Sequence, residues 1–539
     1  MLELNRKGLK NPLPWERAGI SLPRFDIERM LRETDESPEW VHFGAGNIFR
    51  AFPAMMQQKL LDEGHVKTGI IAVKTHNWRT VETMYAPFDN LSLSVIMERD
   101  GELDITVAAS IRTTLAGDPE AGGDWTRLKE IFRAPTLKVV SFTITEKGYS
   151  LRGADGELLE AVRKDMRKGP GSPVHVMAKA AALAYERFRA GGGAVAFVSM
   201  DNCAGNGDIL KDSMTKIARA WEEEGLVEKD FPKWLESPRV SYPWTMIDKI
   251  TPSPSEKVRE HLESLGLRAG ETLRTEKHAV IAPFVNAERP EYLVVEDNFP
   301  GGRPPLELAG GFFTDRETVA RVERMKVGSC LNPLHTALAV FGCLLGYTLI
   351  ADEMKDPHLK KLVEKIGWDE GLPVAEDPGI ISPAEFLREV LEERFPNPNI
   401  PDTPQRIAAD TSQKVGVRFG GTIKAYRDRE ELNPQDLVFI PLAIAAWCRY
   451  LLGLDDSGEE MGLSPDPLLE TLTGHLAAVR LGRPEAAKGV LRPILSDERI
   501  FALNLYDAGL GEKIEGFFSE MTEGPGAVRA VLQKYLGDK

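Results

Sequence analysis

The chain has 539 residues, of which 42% are hydrophobic and 28% are charged, and its formal net charge is −15. A chain of this length exceeds what one compact core supports, so we expect two or three domains. The acidic balance argues against a nucleic-acid-binding protein, because no excess of lysine and arginine is available to contact phosphates. The composition is that of a soluble globular protein, and the size favours an enzyme.

Neither export nor membrane insertion is indicated. No apolar run reaches the roughly 20 residues that span a bilayer, and the N-terminal segment MLELNRKGLKNPLPWERAG lacks the apolar centre of an export signal. The four cysteines are far apart and form no CxxC pair, which is typical of a reducing compartment and gives no zinc framework. They are Cys203, Cys330, Cys343 and Cys448. We therefore expect a cytoplasmic protein without a metal or a membrane partner.

The first residues, 1–38, form a leader that we expect to pack on the main body. Residues 40–73 then have the pattern of a strand (40–43), a glycine turn, a helix (48–61) and a second strand (69–73). Gly44 and Gly46 lie at the first turn, where the N-terminus of a helix can hold a pyrophosphate. This βαβ pattern predicts a dinucleotide site.

The dinucleotide fingerprint is incomplete. Phe49 stands at the position of the third glycine, and Lys74 and Thr75 follow the second strand in place of the acid that binds a ribose hydroxyl. Lys74, His76 and Arg79 could instead accommodate a 2′-phosphate, so NADP is not excluded as the cofactor. A solvated basic loop is the alternative interpretation of these three residues.

Further strand patterns continue the sheet. Residues 91–97 and 104–111 predict an antiparallel hairpin, residues 139–145 and 194–200 predict strands, and residues 174–189 between them predict an amphipathic helix. Residues 242–252, YPWTMIDKITP, are interpreted as a loop that contains Asp248. Gly and Pro then accumulate at 298–305, and helical patterns dominate afterwards. We predict a first domain at 1–303 and a second, mainly helical domain at 304–539.

The segment 325–335, MKVGSCLNPLH, carries a lysine, an asparagine and a histidine before an apolar helix pattern. Thr314 and Glu317 have capping-box spacing, which predicts a helix from Asp315. Glu323 would lie on roughly the same face of that helix as Lys326. Lysine is rarely buried unless it is paired or functional, although Lys326 could also be the last exposed residue before a core helix.

The motifs as a set resemble a known family. They are FGAGNIFRA (43–51), TITEKGY (143–149), SMDNCAGNG (199–207), MIDKITP (246–252), EDNFPGGRP (296–304), the segment 326–335 and RIAADTSQK (406–414). In this order they resemble the long-chain, zinc-independent polyol and uronate dehydrogenases, the mannitol dehydrogenase and fructuronate reductase family. The resemblance implies an α/β fold, with an N-terminal Rossmann-like dinucleotide-binding domain followed by a mainly α-helical C-terminal domain and the active site in the cleft between them.

The resemblance also implies roles for individual residues. Lys326 is the expected general acid/base, and its partners in catalysis are Asn202, Asn332 and His335. The expected cofactor-binding residues are Gly44, Gly46, Asn47, Arg50 and Lys74, and the expected substrate-binding residues are Asp248, Arg406 and Lys414. Glu323 is expected to assist proton exit. Six of these residues also have a purely structural interpretation. Asn202 could form a turn, Asn332 could cap a helix, His335 could be a core residue and Asp248 could bond the backbone, while Arg406 and Lys414 could be surface charges.

The spacing after Lys326 departs from the family pattern by one residue. The family usually has five residues from lysine to asparagine, whereas Asn332 follows Lys326 by six. One extra residue on a continuous helix would turn Lys326 by about 100° away from Asn332 and His335. Either a π-bulge at Gly328 and Ser329 absorbs it, or the helix ends there and a new one begins near Pro333.

The expected activity is NAD-dependent hydride transfer between a secondary alcohol and a ketone of a sugar acid, with no metal. Fructuronate reduction to mannonate is favoured by the resemblance of the region SQKVGVRFGGTIKAY (412–426) and by the long N-terminal leader. A uronate also needs a cation for its carboxylate, which Arg406, Lys414 or Arg418 could supply. Mannitol oxidation and tagaturonate reduction are the alternatives within the family. An NAD-binding sensor without catalysis is an alternative of another class. The expected partner is a small sugar acid or polyol, and the expected assembly is a monomer or small homo-oligomer.

Overall fold

A computed structural model describes residues 2–78, 80–153, 155–267, 273–274 and 280–537. The chain forms two compact units, Met1–Glu98 with Glu102–Ala320 and Arg99–Gly101 with Arg321–Lys539. The domain boundary proposed from the sequence, between residues 303 and 304, stays a prediction, since compact units and domains need not coincide.

The first unit contains all the strands among the described residues. They are β1 (Ile20–Ser21), β2 (Trp40–Phe43), β3 (Ile70–Lys74), β4 (Ser92–Met97), β5 (Leu103–Ala108), β6 (Ile111–Ala116), β7 (Val139–Phe142), β8 (Val195–Ser199), β9 (Val240–Ser241), β10 (Thr245–Asp248), β11 (Leu273–Arg274), β12 (Val280–Ile281), β13 (Phe284–Ala287), β14 (Tyr292–Glu296) and β15 (Phe312–Thr314).

Its helices are mostly short. They are α1 (Arg6–Leu9), α2 (Leu13–Arg17), α3 (Ile27–Glu36), α4 (Asn47–Ala51), α5 (Pro53–Asp62), α6 (Thr80–Met84), α7 (Gly123–Arg133), α8 (Glu146–Tyr149), α9 (Glu160–Lys168), α10 (Val176–Arg189), α11 (Asn206–Glu223), α12 (Asp230–Leu235) and α13 (Glu256–Ser264). The next helix, α14 (Arg316–Met325), begins in the first unit and ends in the second.

The main sheet is parallel, with the spatial order β6-β3-β2-β7-β8-β9. Counted by their order along the chain, these strands are arranged 3-2-1-4-5-6, the order of doubly wound dinucleotide-binding folds. The chain reverses its winding direction between β2 and β7, and such folds bind their ligand at the carboxyl ends of these two strands. The predicted Rossmann-like fold is confirmed.

The main sheet is buried on both faces, so its strands read as continuous apolar runs. In β2, Val41 and Phe43 face the side covered by α7, α10 and α11. Trp40 faces the other side, which α5 covers. The predicted strands at 40–43, 69–73, 139–145 and 194–200 correspond to β2, β3, β7 and β8, with bounds that differ by a few residues at most.

The predicted hairpin exists but belongs to another sheet. Strands β4 and β5 are antiparallel, and they lie in a separate sheet of order β1-β5-β4-β13. Ile111, which was assigned to the hairpin, instead begins β6 of the main sheet. Alternating hydrophobicity identifies a strand but carries no information on its neighbours, which explains the error.

Two other element predictions were wrong. The predicted loop 242–252 contains β10, which pairs antiparallel with β14, because the prolines flank the strand rather than interrupt it. The single helix predicted at 48–61 is two helices, α4 and α5, separated at Phe52 with φ −130° and ψ −76°. Pro53 causes this break, because a residue before proline disfavours helical geometry.

The leader packs on the first unit, as expected. The backbone N–H of Leu2 donates to the carbonyl of Gly266 at 2.8 Å, and β1 pairs in parallel with β5. The N–H of Gly69 donates to the hydroxyl of Thr34, also at 2.8 Å. These bonds join the leader to three separate parts of the unit.

The second unit is helical. Its helices are α15 (Asn332–Leu344), α16 (Ile350–Glu353), α17 (Pro357–Glu364), α18 (Pro383–Glu389), α19 (Pro404–Ile407), α20 (Gly421–Asp428), α21 (Phe439–Tyr450), α22 (Leu469–His475), α23 (Arg492–Leu495), α24 (Glu498–Phe501), α25 (Gly511–Met521) and α26 (Ala527–Leu536). Four segments are π-helical: Lys326–Cys330, Lys365–Gly371, Val390–Arg394 and Gly416–Gly420.

The core of the second unit is built on α15 and α21, which pack on each other and are buried along nearly their whole length. The mostly helical segment Arg316–Leu344 has the length and mean hydropathy of a membrane span. Of its most apolar window, 78% is buried inside the protein. This burial is that of a core helix.

Candidate active site

A π-helical segment, Lys326–Cys330, separates Lys326 from Asn332 and His335. The N–H of Leu331 donates to the carbonyl of Lys326 at 3.1 Å, a bond that spans five residues and closes a π-turn. Leu331 then leaves helical geometry with φ −127° and ψ −62°, and α15 begins at the next residue. The π-bulge and the helix break, which were alternatives, therefore occur in succession, and together they accommodate the extra residue.

Lys326 is buried, with 2% of its surface exposed. Burial raises the pKa of the Glu323 carboxyl above its ordinary value, and the positive charges of Lys326 and Arg324 partly oppose that rise. Glu323 is therefore close enough to Lys326, about one helical turn later, for the lysine charge to affect its pKa, as the spacing predicted. The helix that carries it begins one residue later than expected, because the carboxylate of Asp315 accepts the N–H of Thr318 at 2.9 Å and caps α14.

His335 is paired with an acid that the sequence interpretation missed. Its Nε2 lies 2.7 Å from Oδ2 of Asp402, and the same carboxylate pairs with Arg406. Burial by itself would raise the pKa of Asp402. The hydrogen bonds and positive charges of His335 and Arg406 outweigh burial, so the pKa of Asp402 lies below its ordinary value. The available signal was the position of Asp402, four residues before Arg406 and just ahead of α19, a spacing at which opposite charges can pair.

Two predicted substrate-binding cations and one further arginine lie near this pair. The side chain of Arg406 is 67% exposed. Lys414 donates to the carbonyl of Ala409. Its pKa is lowered mainly by burial and to a smaller extent by the positive charge of Arg418. Burial also lowers the pKa of Arg418 to about 10.

Arg418 is directly connected to the helix that carries His335. Its Nη1 donates to the hydroxyl of Thr336 at 2.6 Å, and Thr336 also donates to the carbonyl of Asn332 at 3.0 Å. Asn332 itself is the partly exposed first residue of α15. The second unit thus gathers Asn332, His335 and the cations around the first turn of α15, directly after the π-segment that begins at Lys326.

In the first unit, Gly44 forms the turn that follows β2. Its φ is +111°, and a Cβ there would lie 2.0 Å from the carbonyl oxygen of Thr143 on the neighbouring chain segment. A Cβ on Gly46 would meet nothing within 4 Å, so the space at this position is open. The turn is also fixed by the hydroxyl of Tyr85, which donates to the carbonyl of Ala45 at 2.6 Å. An open glycine turn at the point where the sheet reverses its winding fits a dinucleotide pyrophosphate.

Arg50 supports this turn from inside the unit. It is 2% exposed and donates to the carbonyl of Ala282 at 2.8 Å and to Oδ1 of Asn47 at 3.1 Å. Lys74 lies at the end of β3, with its Nζ 6.0 Å from the centre of the Tyr85 ring. Arg79, which was grouped with Lys74 and His76 as a possible phosphate site, lies outside the described residues.

Phe49, at the position of the third glycine, stacks on His42 with ring centroids 3.9 Å apart. The His42 ring nitrogens pair with the hydroxyls of Ser141 and Thr143. Burial lowers the pKa of His42 to about 3, so the ring is neutral. When glycine stands at this position, the helix packs closely on the strand. Here the Phe49 and His42 rings fill the space between them instead.

Asn202 lies in the exposed loop that follows β8. Beside it, Asp201 accepts hydrogen bonds from the N–H of Ile144 and the hydroxyl of Tyr149, both at 2.7 Å. Asn206 is buried and accepts the N–H of Thr245 at 3.0 Å. These bonds hold the loops after β7 and β8 together at the carboxyl edge of the sheet. The role of Asp201 was not anticipated, although its place directly after a strand was the available signal.

Asp248 is the last residue of β10 and is 7% exposed. Strand pairing places it opposite Tyr292 of β14. The structure therefore places Gly44, Gly46, Asn202 and Asp248 in the first unit, and Lys326, Asn332 and His335 in the second. Among the described residues, no group of three or more His, Cys, Asp or Glu side chains is arranged to hold a metal.

Comparisons with known proteins identify the same two parts. Residues 38–308 match the mannitol dehydrogenase Rossmann domain, and residues 318–521 match the mannitol dehydrogenase C-terminal domain. The chain is 53% identical to the D-mannonate oxidoreductase of Thermotoga maritima over 99% of both chains. It is 30% identical to the mannitol 2-dehydrogenase of Cereibacter sphaeroides, over 81% of this chain and 85% of that protein.

Two solved structures are similar over the whole chain. The mannitol 2-dehydrogenase of Pseudomonas fluorescens, in a ternary complex with NAD and D-mannitol, has a TM-score of 0.71 at 25% identity and covers 100% of both chains. A substrate-free D-sorbitol dehydrogenase has a TM-score of 0.79 at 25% identity, covering 99% of this chain and 100% of that one. With both of its domains matched along most of its length, the chain belongs to the mannitol dehydrogenase family of oxidoreductases.

Proposed function

We propose that this protein is an NAD-dependent oxidoreductase that interconverts D-fructuronate and D-mannonate. The observation that carries the proposal is the group of cations at the first turn of α15, beside the pair of His335 and Asp402. A uronate carries a carboxylate that such a group can bind, whereas a polyol does not. The identity of 53% with a D-mannonate oxidoreductase along the whole chain supports the same substrate.

Cofactor binding is assigned to the first unit. Gly44 and Gly46 would accept the pyrophosphate at the open turn after β2, and Asn47, Arg50 and Lys74 surround that turn. The nicotinamide supplies or accepts the hydride when the cofactor is bound. NAD is favoured by a structural relative that holds NAD, and Lys74 leaves NADP as the alternative.

Lys326 is the proposed general acid/base. In the oxidative direction its neutral amine takes the proton from the substrate hydroxyl, and in the reductive direction its ammonium returns a proton to the carbonyl oxygen. Glu323, one turn earlier, is proposed to exchange that proton with solvent, a role that its raised pKa supports. The pair provides a proton route that needs no metal.

The remaining groups stabilise and orient the reacting oxygen. The amides of Asn202 and Asn332 can donate hydrogen bonds to developing negative charge, and each such donor contributes about 3 kcal/mol in enzymes. Asp402 lies 2.7 Å from Nε2 of His335 and attracts that side of the ring, and Nδ1 is the ring nitrogen proposed for a substrate oxygen. Asp248, Arg406 and Lys414 are assigned to the other substrate oxygens.

The test follows nicotinamide absorbance with fructuronate, tagaturonate and fructose, each with NADH and with NADPH. We expect the highest kcat/KM with fructuronate and NADH. A higher kcat/KM with tagaturonate or fructose would contradict the substrate assignment. Tight NADH binding without turnover of any of the three would favour a cofactor-binding sensor, and would contradict the enzymatic function itself.

A further inference from the structure

Three cations lie near the first turn of α15, and they differ in how their charge is balanced. Arg406 is paired with Asp402. Lys414 lies in the field of Asp410 and Asp466, which act against the lowering of its pKa. Within the described part of the chain, Arg418 has no acidic side chain at ion-pair distance. Its positive charge is the one that the protein itself leaves uncompensated.

The surroundings of Arg418 make this imbalance costly. Arg418 is only partly exposed, and burial lowers its pKa to about 10, so it still carries its charge at neutral pH. Removing a charge from water without a partner is unfavourable, and proteins usually pair such groups. The hydroxyl of Thr336 satisfies one N–H at 2.6 Å but supplies no negative charge. An anionic ligand would supply it.

Arg418 is also held in a fixed place. It lies in the π-helical segment Gly416–Gly420, where a Cβ on Gly420 would lie 1.9 Å from the carbonyl oxygen of Phe501 and one on Gly416 would lie 2.7 Å from that of Ile500. The glycines thus let the segment pack directly on the backbone that ends α24. On its other side, the hydroxyl of Thr422 donates to the carbonyl of Gly328 at 3.3 Å, inside the π-segment that begins at Lys326.

We propose that Arg418 binds the carboxylate of the sugar-acid substrate and thereby selects uronates over uncharged ketoses and polyols. This inference rests on the proposed function and specifies which cation carries its selectivity. Nη1 is held by Thr336, which follows His335 in the chain. The Nη2 and Nε hydrogens remain for a two-point contact with a carboxylate, the geometry in which arginine is superior to lysine.

The test compares Arg418→Gln and Arg418→Lys with the wild-type enzyme. The matched control is Arg427→Gln, because Arg427 is an exposed arginine of α20 that pairs with its neighbour Asp428 at 3.1 Å. Each variant is assayed with fructuronate and with fructose, which differ only in a carboxylate against a hydroxymethyl group at one end of the chain. NADH affinity is measured separately by fluorescence titration.

We expect Arg418→Gln to lower kcat/KM for fructuronate by about 100-fold, mainly through KM, because it removes a partly desolvated charge partner. Activity with fructose and the affinity for NADH should change by less than about threefold, within the variation of a surface substitution. Arg418→Lys should restore roughly a tenth of the fructuronate activity, since it keeps the charge but not the fork. The control should match the wild type with both substrates.

Equal losses with both substrates, or no loss with fructuronate, would overturn the role of Arg418. If the wild-type enzyme reduces tagaturonate instead of fructuronate, the substrate assignment fails, and the same comparison with tagaturonate still decides the role of Arg418. If the wild-type enzyme prefers fructose, both proposals fail. Should Arg418→Gln not fold, the comparison of D-mannonate and D-mannitol binding to Arg418→Lys in the presence of NAD decides the matter, with selective weakening of mannonate as the expected result.

Discussion

Lys326 is buried to 98% of its surface at the start of a π-helical segment, in a unit otherwise built on apolar helices. Burying a lysine costs free energy, which a protein sustains where the side chain has a partner or a task. The partner on its own helix is Glu323, whose pKa responds to the charge of Lys326. This arrangement favours a proton-transfer role for the pair.

Replacing Lys326 by Ala should lower kcat by about 1,000-fold, the usual range for the loss of a general acid/base. The affinity for NADH should stay within about twofold, because the residues assigned to the cofactor belong to the first unit. Stopped-flow absorbance gives kcat, and fluorescence titration gives the dissociation constant. Lys424→Ala, at an exposed position of α20, serves as the control. A Lys326→Ala enzyme with wild-type turnover would refute the assignment.

At the residue scale, the sequence indicated where candidate site residues lie along the chain better than which residues they contact. The glycine turn at Gly44 lies where its spacing predicted it, and the roles of Lys326, Asn332 and His335, which come from the resemblance, stay predictions. Asp402 was not predicted, because it meets His335 only after the chain has passed through several helices. Pairs that are distant in sequence leave no periodic signal, so their chemistry appears only when the fold brings them together.

The element that decides the geometry of the candidate site is the π-helical segment Lys326–Cys330. It contains one more residue than an α-helical turn would need between Lys326 and α15. Because each residue of an α-helix turns the chain by about 100°, the extra residue on a continuous α-helix would carry Lys326 off the face of His335, and the π-turn absorbs it. The segment therefore sets the direction in which Lys326 points relative to His335.

Inserting one alanine after Gly328 should lower kcat by at least about 100-fold, because the π-turn already absorbs one extra residue and a second would turn Lys326 away from His335 by about 100°. Gly328→Ala is the matched control, since a Cβ there would meet only the carbonyl oxygen of Val417, at 4.0 Å. The control should keep activity within about threefold. Circular dichroism confirms that both variants fold. A fully active insertion variant would show that turnover does not depend on the alignment of Lys326 with His335.

The sequence predicted strands correctly where both faces of the strand are buried. It assigned strands to the wrong sheet where their neighbours lie far apart in the chain. Strands β2, β3, β7 and β8 were recognisable as short apolar runs. The hairpin of β4 and β5 was found but assigned to the main sheet, because its other neighbour, β13, lies far along the chain. The π-turn was anticipated only from a count against the family spacing, since helical periodicity alone does not reveal one inserted residue.

At the scale of the whole molecule, the balance of buried acids sets how stability depends on pH. Glu353 has no exposed surface, and neither of its carboxyl oxygens has a hydrogen-bond partner in the described ranges. Burial, with the negative charges of Asp402 and Asp356, raises its pKa well above the ordinary value. The folded protein therefore keeps Glu353 protonated at a pH where the unfolded chain releases that proton. As pH rises above the ordinary pKa, this difference lowers the free energy of unfolding.

Glu353→Gln removes this penalty, so its melting temperature should exceed that of the wild type at pH 8 and approach it at pH 4.5. A gain of roughly 1 kcal/mol at pH 8 corresponds to about 1 °C if the whole chain unfolds together and to about 2 °C if the second unit unfolds by itself. Differential scanning calorimetry at the two pH values measures it. Glu431→Gln, at an exposed position, should give the same small change at both pH values. A Glu353→Gln protein less stable than the wild type at pH 8 would contradict the neutral, buried state of the carboxyl.

Parallel pairing between β4 and β13 has a consequence for protein synthesis. Leu93 of β4 pairs with Phe284 of β13, so nearly two hundred codons separate the two strands on the messenger. Until β13 leaves the ribosome, the nascent chain presents Ser92–Met97 as an uncovered apolar edge, the kind of surface on which chains associate. We therefore expect the yield of soluble protein to depend on how long this interval takes to translate and on the chaperones that shield the exposed strand. The stability of the folded protein should matter less for the yield.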